Sequence, residues 1–234
     1  QIMGGTSGVD QISLSSNLSD NTTKYAGLIM TMYTNNTAAF EELEHQYLSL
    51  QNTSVKGLDW NRQSVICHLF TICFFFDEQW NLKSNIISYG HDIETAWLLI
   101  EAAKVIKNEK LLQETTRVAV LITDTFVEEG VDTDGGVFND YNPKTKKLDG
   151  DKHWWPQAEA LVGLRYAYNI TKDEKYLIIS TKILNFIQTK IIDKTNGEWF
   201  WRVNKEGKLY TSDYKIGMWK APYHTSRACI VLNK

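Results

Sequence analysis

The chain has 234 residues, 43% hydrophobic and 23% charged, the balance of a folded protein and not of a disordered or membrane-embedded one. Its formal net charge is -3 with scattered basic residues, which excludes the electrostatic footprint of a partner such as nucleic acid or an anionic membrane. Cys67, Cys73 and Cys229 lack metal-ligand spacing and read as buried thiols; with no signal pattern and no apolar run of bilayer length, a cytoplasmic location is expected.

Residues 1–22, rich in Gly, Ser, Asn and Asp, read as a poorly ordered lead-in to a single domain over 23–234. The apolar spacing predicts two helices within 23–50, split near Asn35-Asn36-Thr37. Segment 64–76 is so rich in β-branched and aromatic residues that helix and strand both stay open. From His91 the pattern is regular, with helices predicted over 91–107, 109–127, 156–169 and 172–192. Pro156 suits a first helical turn, and Thr171 ahead of Asp173-Glu174 suits a helix start. Short links at 107–109 and 169–171 make αα-hairpins, and the long loops 128–155 and 193–222 would emerge together on one face. Within them, 136–139 and 198–203 are predicted as short hairpin strands, the second followed by a turn at 204–207, with Trp199 and Trp201 on one face.

Three clusters carry chemistry, and each opens a predicted helix: Ser88 to Glu94, His153 to Glu159 and Trp219 to Arg227. His91 and His224 are the candidate catalytic pair, because neutral imidazole takes or gives a proton near physiological pH and two such groups on opposite sides of a carbon could invert it. A helix-start histidine also serves as a cap or core residue, but here its neighbours favour chemistry. Asp92 and Glu94 suit the positive end of a helix dipole; Glu94, three residues from His91 on the same face, could also orient the imidazole or hold a sugar hydroxyl. Consecutive Trp154 and Trp155 cannot both point inward from one helix face, so one is expected in the cleft. Gln157 and Glu159 supply an amide and a carboxylate for hydroxyl groups, and Trp219 a third wall; Arg227 either touches substrate or pairs with a carboxylate. His45, His68 and His153 read as structural.

Aromatic residues reach 12%, eight of them tryptophan, often paired or alternating in loops, which suits the faces of sugars. Phosphate-loop, HExxH, CxxC and GxSxG motifs are missing, so neither a cofactor nor a metal is expected. Asp132-Thr133-Asp134-Gly135-Gly136 has the look of a calcium loop, but Pro143 stands where its twelfth-position Glu should be, so a turn is expected.

With Phe75-Phe76-Asp77-Glu78-Gln79-Trp80, the three clusters resemble, in order and spacing, the hallmark segments of the N-acylglucosamine 2-epimerase superfamily, and within it the cellobiose 2-epimerases, over about residues 75–232. The resemblance implies an all-α fold of (α/α)6-barrel type with short β-hairpins in its long loops, and cofactor-free epimerisation at C2 of the reducing-end glucose of a β-1,4-linked disaccharide. It implies His91 and His224 as the acid/base pair, acting on the ring-opened sugar through a cis-enediolate. Asp92, Glu94, Trp154, Trp155, Gln157, Glu159, Trp219 and Arg227 would contact or support the substrate. About eight helices or fewer can be counted, whereas a closed ring of six hairpins needs twelve, so the barrel is expected to be incomplete unless another chain completes it. Leu28 and Thr31 also stand where the family has a His and a Glu in an early segment, which admits a sugar-binding remnant without catalysis, while another epimerase or isomerase of the superfamily, acting on N-acylglucosamine or mannose, is the alternative activity.

Overall fold

The computed structural model describes residues 83–84 and 86–233. The lead-in, the helices expected within 23–50, segment 64–76, His45, His68, Cys67 and Cys73 lie outside the described residues. Helix α1 spans Tyr89–Ile106, and its residues Ile93, Ala96, Trp97, Ile100 and Ala103 recur at three- and four-residue spacing and are buried. It ends where Lys107 turns left-handed, with φ 58°, and sends its N–H to the carbonyls of Ala103 and Lys104. The next residue, Asn108, caps α2 (Glu109–Glu129) by accepting the Leu111 N–H at 3.1 Å. Two residues therefore reverse the chain.

The second hairpin repeats the design. Helix α3 (Trp154–Thr171) carries Pro156 in its first turn, where a missing N–H costs no intrahelical bond, and it ends at a left-handed Lys172 with φ 61°. Helix α4 (Lys175–Phe186) runs into a π turn over Ile187–Ile191, so the single helix expected over 172–192 starts later and widens. The cause is visible in the core. Four-residue steps drift by about 40° around an α-helix, and the wider turn brings Ile191 back into line with buried Ile183 and Ile187. The last described helix, α5, is Tyr223–Leu232.

Helix α3 is the centre of the packing, with α1, α4 and α5 against it. Where α1 and α3 cross, a Cβ on Gly163 would stand 2.5 Å from Ile93 Cδ1, so only glycine lets the axes approach. Ile93, Phe126, Leu164, Ile183, Ile187 and Val203 belong to the largest core cluster; Ala96, Leu99, Ile100, Val118, Ala119 and Ile122 join α1 to α2.

Short strands stitch the long loops to the helix starts. Strand β1 (Ile87–Ser88) pairs antiparallel with β2 (Asp140–Asn142), which pairs with β3 (Lys147–Asp149), in the register Ser88↔Asp140 and Tyr141↔Leu148. Strand β4 (Lys152–His153) pairs with β5 (Arg202–Val203). Both predicted loop strands shift. Segment 136–139 folds back through the antiparallel bridge Val131↔Val137, and within 198–203 only Arg202–Val203 is a strand, pairing with β4 while Val203 also bridges Leu209 across the next turn. The turn expected at 204–207 forms, closed by Gly207 N–H to Asn204 O at 2.8 Å, with Gly207 at φ 77°.

The Asp132–Gly136 loop closes on an ammonium of the chain itself. Lys152 Nζ is wholly buried and donates to Asp132 Oδ2 at 2.7 Å, to Asp134 at 2.8 Å and to Lys205 O at 3.0 Å. All three of its donors are used, which is what makes a buried cation tolerable. Among the described residues no helix is long and apolar enough to cross a membrane.

Candidate active site

The links within hairpins lie at one end of the fold, so the starts of α1, α3 and α5 share the opposite end with the long loops. His91 lies in the first turn of α1, Trp155 in that of α3 and His224 in that of α5. The three rings meet: the His91 and Trp155 centroids are 4.7 Å apart, edge to face, and those of Trp155 and His224 are 5.5 Å apart. Gly90 makes room for that indole, since a Cβ there would stand 2.4 Å from Trp155 Cη2.

Each imidazole is held at Nδ1 by a different kind of partner. His224 Nδ1 lies 2.6 Å from Glu159 Oε1, and the carboxylate, fully buried, accepts. Glu159 also accepts from Trp97 Nε1 at 3.0 Å through its other oxygen and from Arg227. His91 Nδ1 lies 2.8 Å from the hydroxyl of Ser88. Arg227 donates to Glu94 Oε1 at 2.9 Å and sits over the rings of Trp97 and Tyr223, at 4.6 and 4.3 Å from their centroids.

Desolvation, and then the neighbouring charge of His224, lowers the pKa of His91 below its usual value, with Glu159 acting in the opposite sense. Desolvation and then the charge of Glu159 raise Glu94, while Arg227 opposes them. Glu94, Glu159 and His224 bring ligand atoms within 4.8 Å of one another, a set of donors that could hold a metal ion. Arg227 already gives both carboxylates their positive charge, so the set is balanced by the chain's own guanidinium.

The sequence-predicted residues divide into three groups. His91, Glu94, Trp155, Glu159, His224 and Arg227 come together. Glu94 faces Arg227, and Ser88 has the orienting position at His91 that the spacing of Glu94 suggested. Trp154 belongs to the core, 2% exposed and edge-on to Trp201 at 5.1 Å, so Trp155 is the indole of the cleft. Gln157 is buried and its amide is engaged by the Val137 N–H, the Val137 carbonyl and the His153 carbonyl, at 2.8, 2.9 and 3.0 Å. Asp92 is buried as well, and Trp219 stands 72% exposed in the loop before α5.

Ser88 and Trp97 were missed by sequence reasoning. Trp97 lies three residues after Glu94, one of its neighbours on the helix surface, a spacing that could have marked it. Ser88 reads from sequence as an ordinary N-cap.

The model of the family described as N-acylglucosamine 2-epimerase (GlcNAc 2-epimerase) matches residues 23–228. The cellobiose 2-epimerase of Bacteroides fragilis is 42% identical over 158 residues, which are 68% of this chain and 40% of that protein. That of Dictyoglomus turgidum is 36% identical over 169 residues, 71% of this chain and 41% of that one. The solved cellobiose 2-epimerase of Bacillus thermoamylovorans superimposes with a TM-score of 0.65 at 33% identity, over 74% of this chain and 46% of that one. This likeness bears out the (α/α)6-barrel type of fold. The chain spans about two fifths of the length of the curated relatives it matches.

Proposed function

The chain belongs to the N-acylglucosamine 2-epimerase family, and on that premise we propose that it is a carbohydrate epimerase, inverting C2 of the reducing-end glucose of cellobiose or a related β-1,4-linked disaccharide. The observation that carries this reading is the pair of first-turn imidazoles against one indole, each held at Nδ1 so that its Nε2 lies on the far side of the ring.

In the ring-opened aldose the C1 aldehyde makes the C2 hydrogen acidic. His91, disposed to be neutral by desolvation, takes that proton at Nε2, and the C–H electron pair forms the C1=C2 bond of the enediolate while O1 takes the charge. His224, entering the step as imidazolium, delivers a proton to the opposite face of C2; the electrons return and the aldehyde re-forms. In the reverse direction the two residues exchange roles. Glu159 accepts the Nδ1–H of His224 throughout and keeps its tautomer fixed. Trp155 gives the sugar an apolar face beside both bases, and exposed Trp219 is available for a second sugar ring.

Cellobiose incubated with the purified chain in D2O and followed by proton NMR tests the reading. Loss of the C2 proton signal, appearance of glucosyl-mannose, and abolition of both by His91→Ala and by His224→Ala are expected. A folded chain that binds cellobiose without exchanging the C2 proton would make it a sugar-binding remnant instead.

A further inference from the structure

Ser88 occupies the N-cap of α1 with extended dihedrals, φ -111° and ψ 106°, the setting in which a serine hydroxyl accepts an N–H of the first helical turn. It makes no such bond. The hydroxyl instead meets the His91 ring at Nδ1, 2.8 Å away. The backbone around it is fixed on both sides, by the antiparallel register Ser88↔Asp140 before the helix and by the helix itself after it. Close packing of the ring against Trp155, at 4.7 Å between centroids, sets the remaining freedom of the imidazole.

We propose that Ser88 is a positioning residue of the acid/base site, given up as a helix cap so that its hydroxyl holds His91 in the tautomer that carries its proton on Nδ1. In that tautomer the lone pair is on Nε2, the nitrogen on the far side of the ring from Ser88. The two imidazoles are then held alike in tautomer by unlike partners. Glu159 is a carboxylate partner to its ring, whereas the Ser88 hydroxyl is a neutral one that orients its ring without adding a charge. This rests on the proposed epimerase reading, because only there does the Nε2 lone pair of His91 take a proton.

The test compares wild type with Ser88→Ala, Ser88→Thr and Asn108→Ala, all as the full chain. Its first arm is long-range nitrogen–proton NMR of histidine-labelled protein, which reads the His91 tautomer without reference to turnover. Expected are an Nδ1–H signal in wild type and in Ser88→Thr, and a shift toward a mixture of tautomers in Ser88→Ala. The second arm is C2 hydrogen exchange: kcat should fall roughly tenfold in Ser88→Ala with KM within about twofold, and Ser88→Thr should restore it. The melting temperature of Ser88→Ala should stay near wild type, while Asn108→Ala, which loses a real cap, should melt lower. Unchanged His91 signals in Ser88→Ala overturn the proposal, as does a fall in melting to match Asn108→Ala with no change at His91, which would make Ser88 an ordinary cap. A wild-type chain that exchanges no C2 proton sinks the epimerase reading alone, and the tautomer arm then decides on Ser88.

Discussion

Replacing Glu159 with glutamine tests the centre of the site without changing its shape. The carboxylate is fully buried and receives donors at both oxygens: His224 Nδ1 at 2.6 Å and Arg227 at one, Trp97 Nε1 at 3.0 Å at the other. An amide has one oxygen and one NH2, so either orientation sets a donor against a donor. If the NH2 faces Trp97, one hydrogen bond to a charged acceptor, worth about 1.5–3 kcal/mol, is lost and the indole N–H is left buried. If it faces His224, the imidazole must change tautomer. In both cases the charge opposing Arg227 is removed, although Glu94 at 2.9 Å still pairs with it. Removing one partner of a buried pair costs about 3–5 kcal/mol, and the surviving Glu94 contact brings the expectation toward roughly 3 kcal/mol. In a chain of this size that lowers the melting temperature by roughly 6–12 °C. A larger relative loss is expected in kcat: the same carboxylate-to-amide exchange in a serine-protease triad costs about 10⁴ through the wrong tautomer, so a fall of at least about 10²-fold should appear in C2 exchange. Urea denaturation and exchange kinetics on one preparation measure both. A loss under about 1 kcal/mol together with kcat within twofold of wild type would refute the claim that Glu159 anchors His224 and Arg227.

Three further outcomes are expected. Lys152→Met should destabilise the fold by roughly 2–3 kcal/mol in urea unfolding, because it leaves Asp132 and Asp134 facing each other, both partly solvated at 20% and 41% side-chain exposure. Gly90→Ala should cost about 1–3 kcal/mol and shift the tryptophan fluorescence, because the new methyl would stand 2.4 Å from Trp155 Cη2 unless the indole moves. The pH dependence has two components. His91 has its folded pKa lowered by desolvation and then by His224, so its stabilising effect is complete above the ordinary value of about 6.5 and is lost as pH falls from there toward the folded value. The acid limb of kcat/KM should accordingly lie below pH 6.5, and a limb above it would contradict a neutral resting His91. Against a desolvation that would raise it, bonds from Lys152 and Thr133 hold Asp132 below its ordinary value, so its contribution is present above about pH 4 and is lost as pH falls through the lowered pKa. Thermal melts of wild type and Lys152→Met across pH 3–8 separate the two components, because the second should shrink in the variant while the first stays.

Much of the helical frame was legible because periodicity and punctuation agree there. Lys107-Asn108 and Thr171-Lys172-Asp173 interrupt the apolar repeats where the chain turns left-handed and restarts. The loop strands were less legible, since pairing partners are tertiary: nothing local says that Arg202 and Val203 pair with Lys152 and His153, fifty residues earlier. The same limit divides the site. His91, Glu94, His224 and Arg227 stand out by residue type and three-residue spacing, but spacing reports a helical face and not what that face meets. Trp154 and Trp155 differ by one position and end in opposite surroundings, one in the core and one against the imidazoles. Gln157 looks like a hydroxyl ligand from sequence and is engaged by backbone groups of Val137 and His153. Lys152 looks like a surface lysine and is the buried cation of its loop.

The distribution of helix caps follows the same division between scaffold and site. Helices α2 and α4 start at the end of the short links, and each has a side-chain oxygen on an early N–H: Asn108 Oδ1 on Leu111 at 3.1 Å and Asp173 Oδ1 on Lys175 at 2.9 Å. Helices α1, α3 and α5 start at the long-loop end from Ser88, His153 and Pro222, and none has a side-chain cap. A missing cap costs about 1 kcal/mol, so three together are a sizeable fraction of the stability of a small domain. These are the helices whose first turns carry His91, Trp155 and His224. A capping oxygen there would stand beside the two imidazoles and the indole, and an uncapped first turn keeps the positive end of the helix facing them, which in the proposed reaction favours a developing enediolate. The stability forgone is offset by contacts behind the site: the Lys152 ammonium that closes the 132–136 loop, the β4–β5 pairing that ties α3 to the 202–203 segment, and the Gly163 crossing that lets α1 and α3 pack closely.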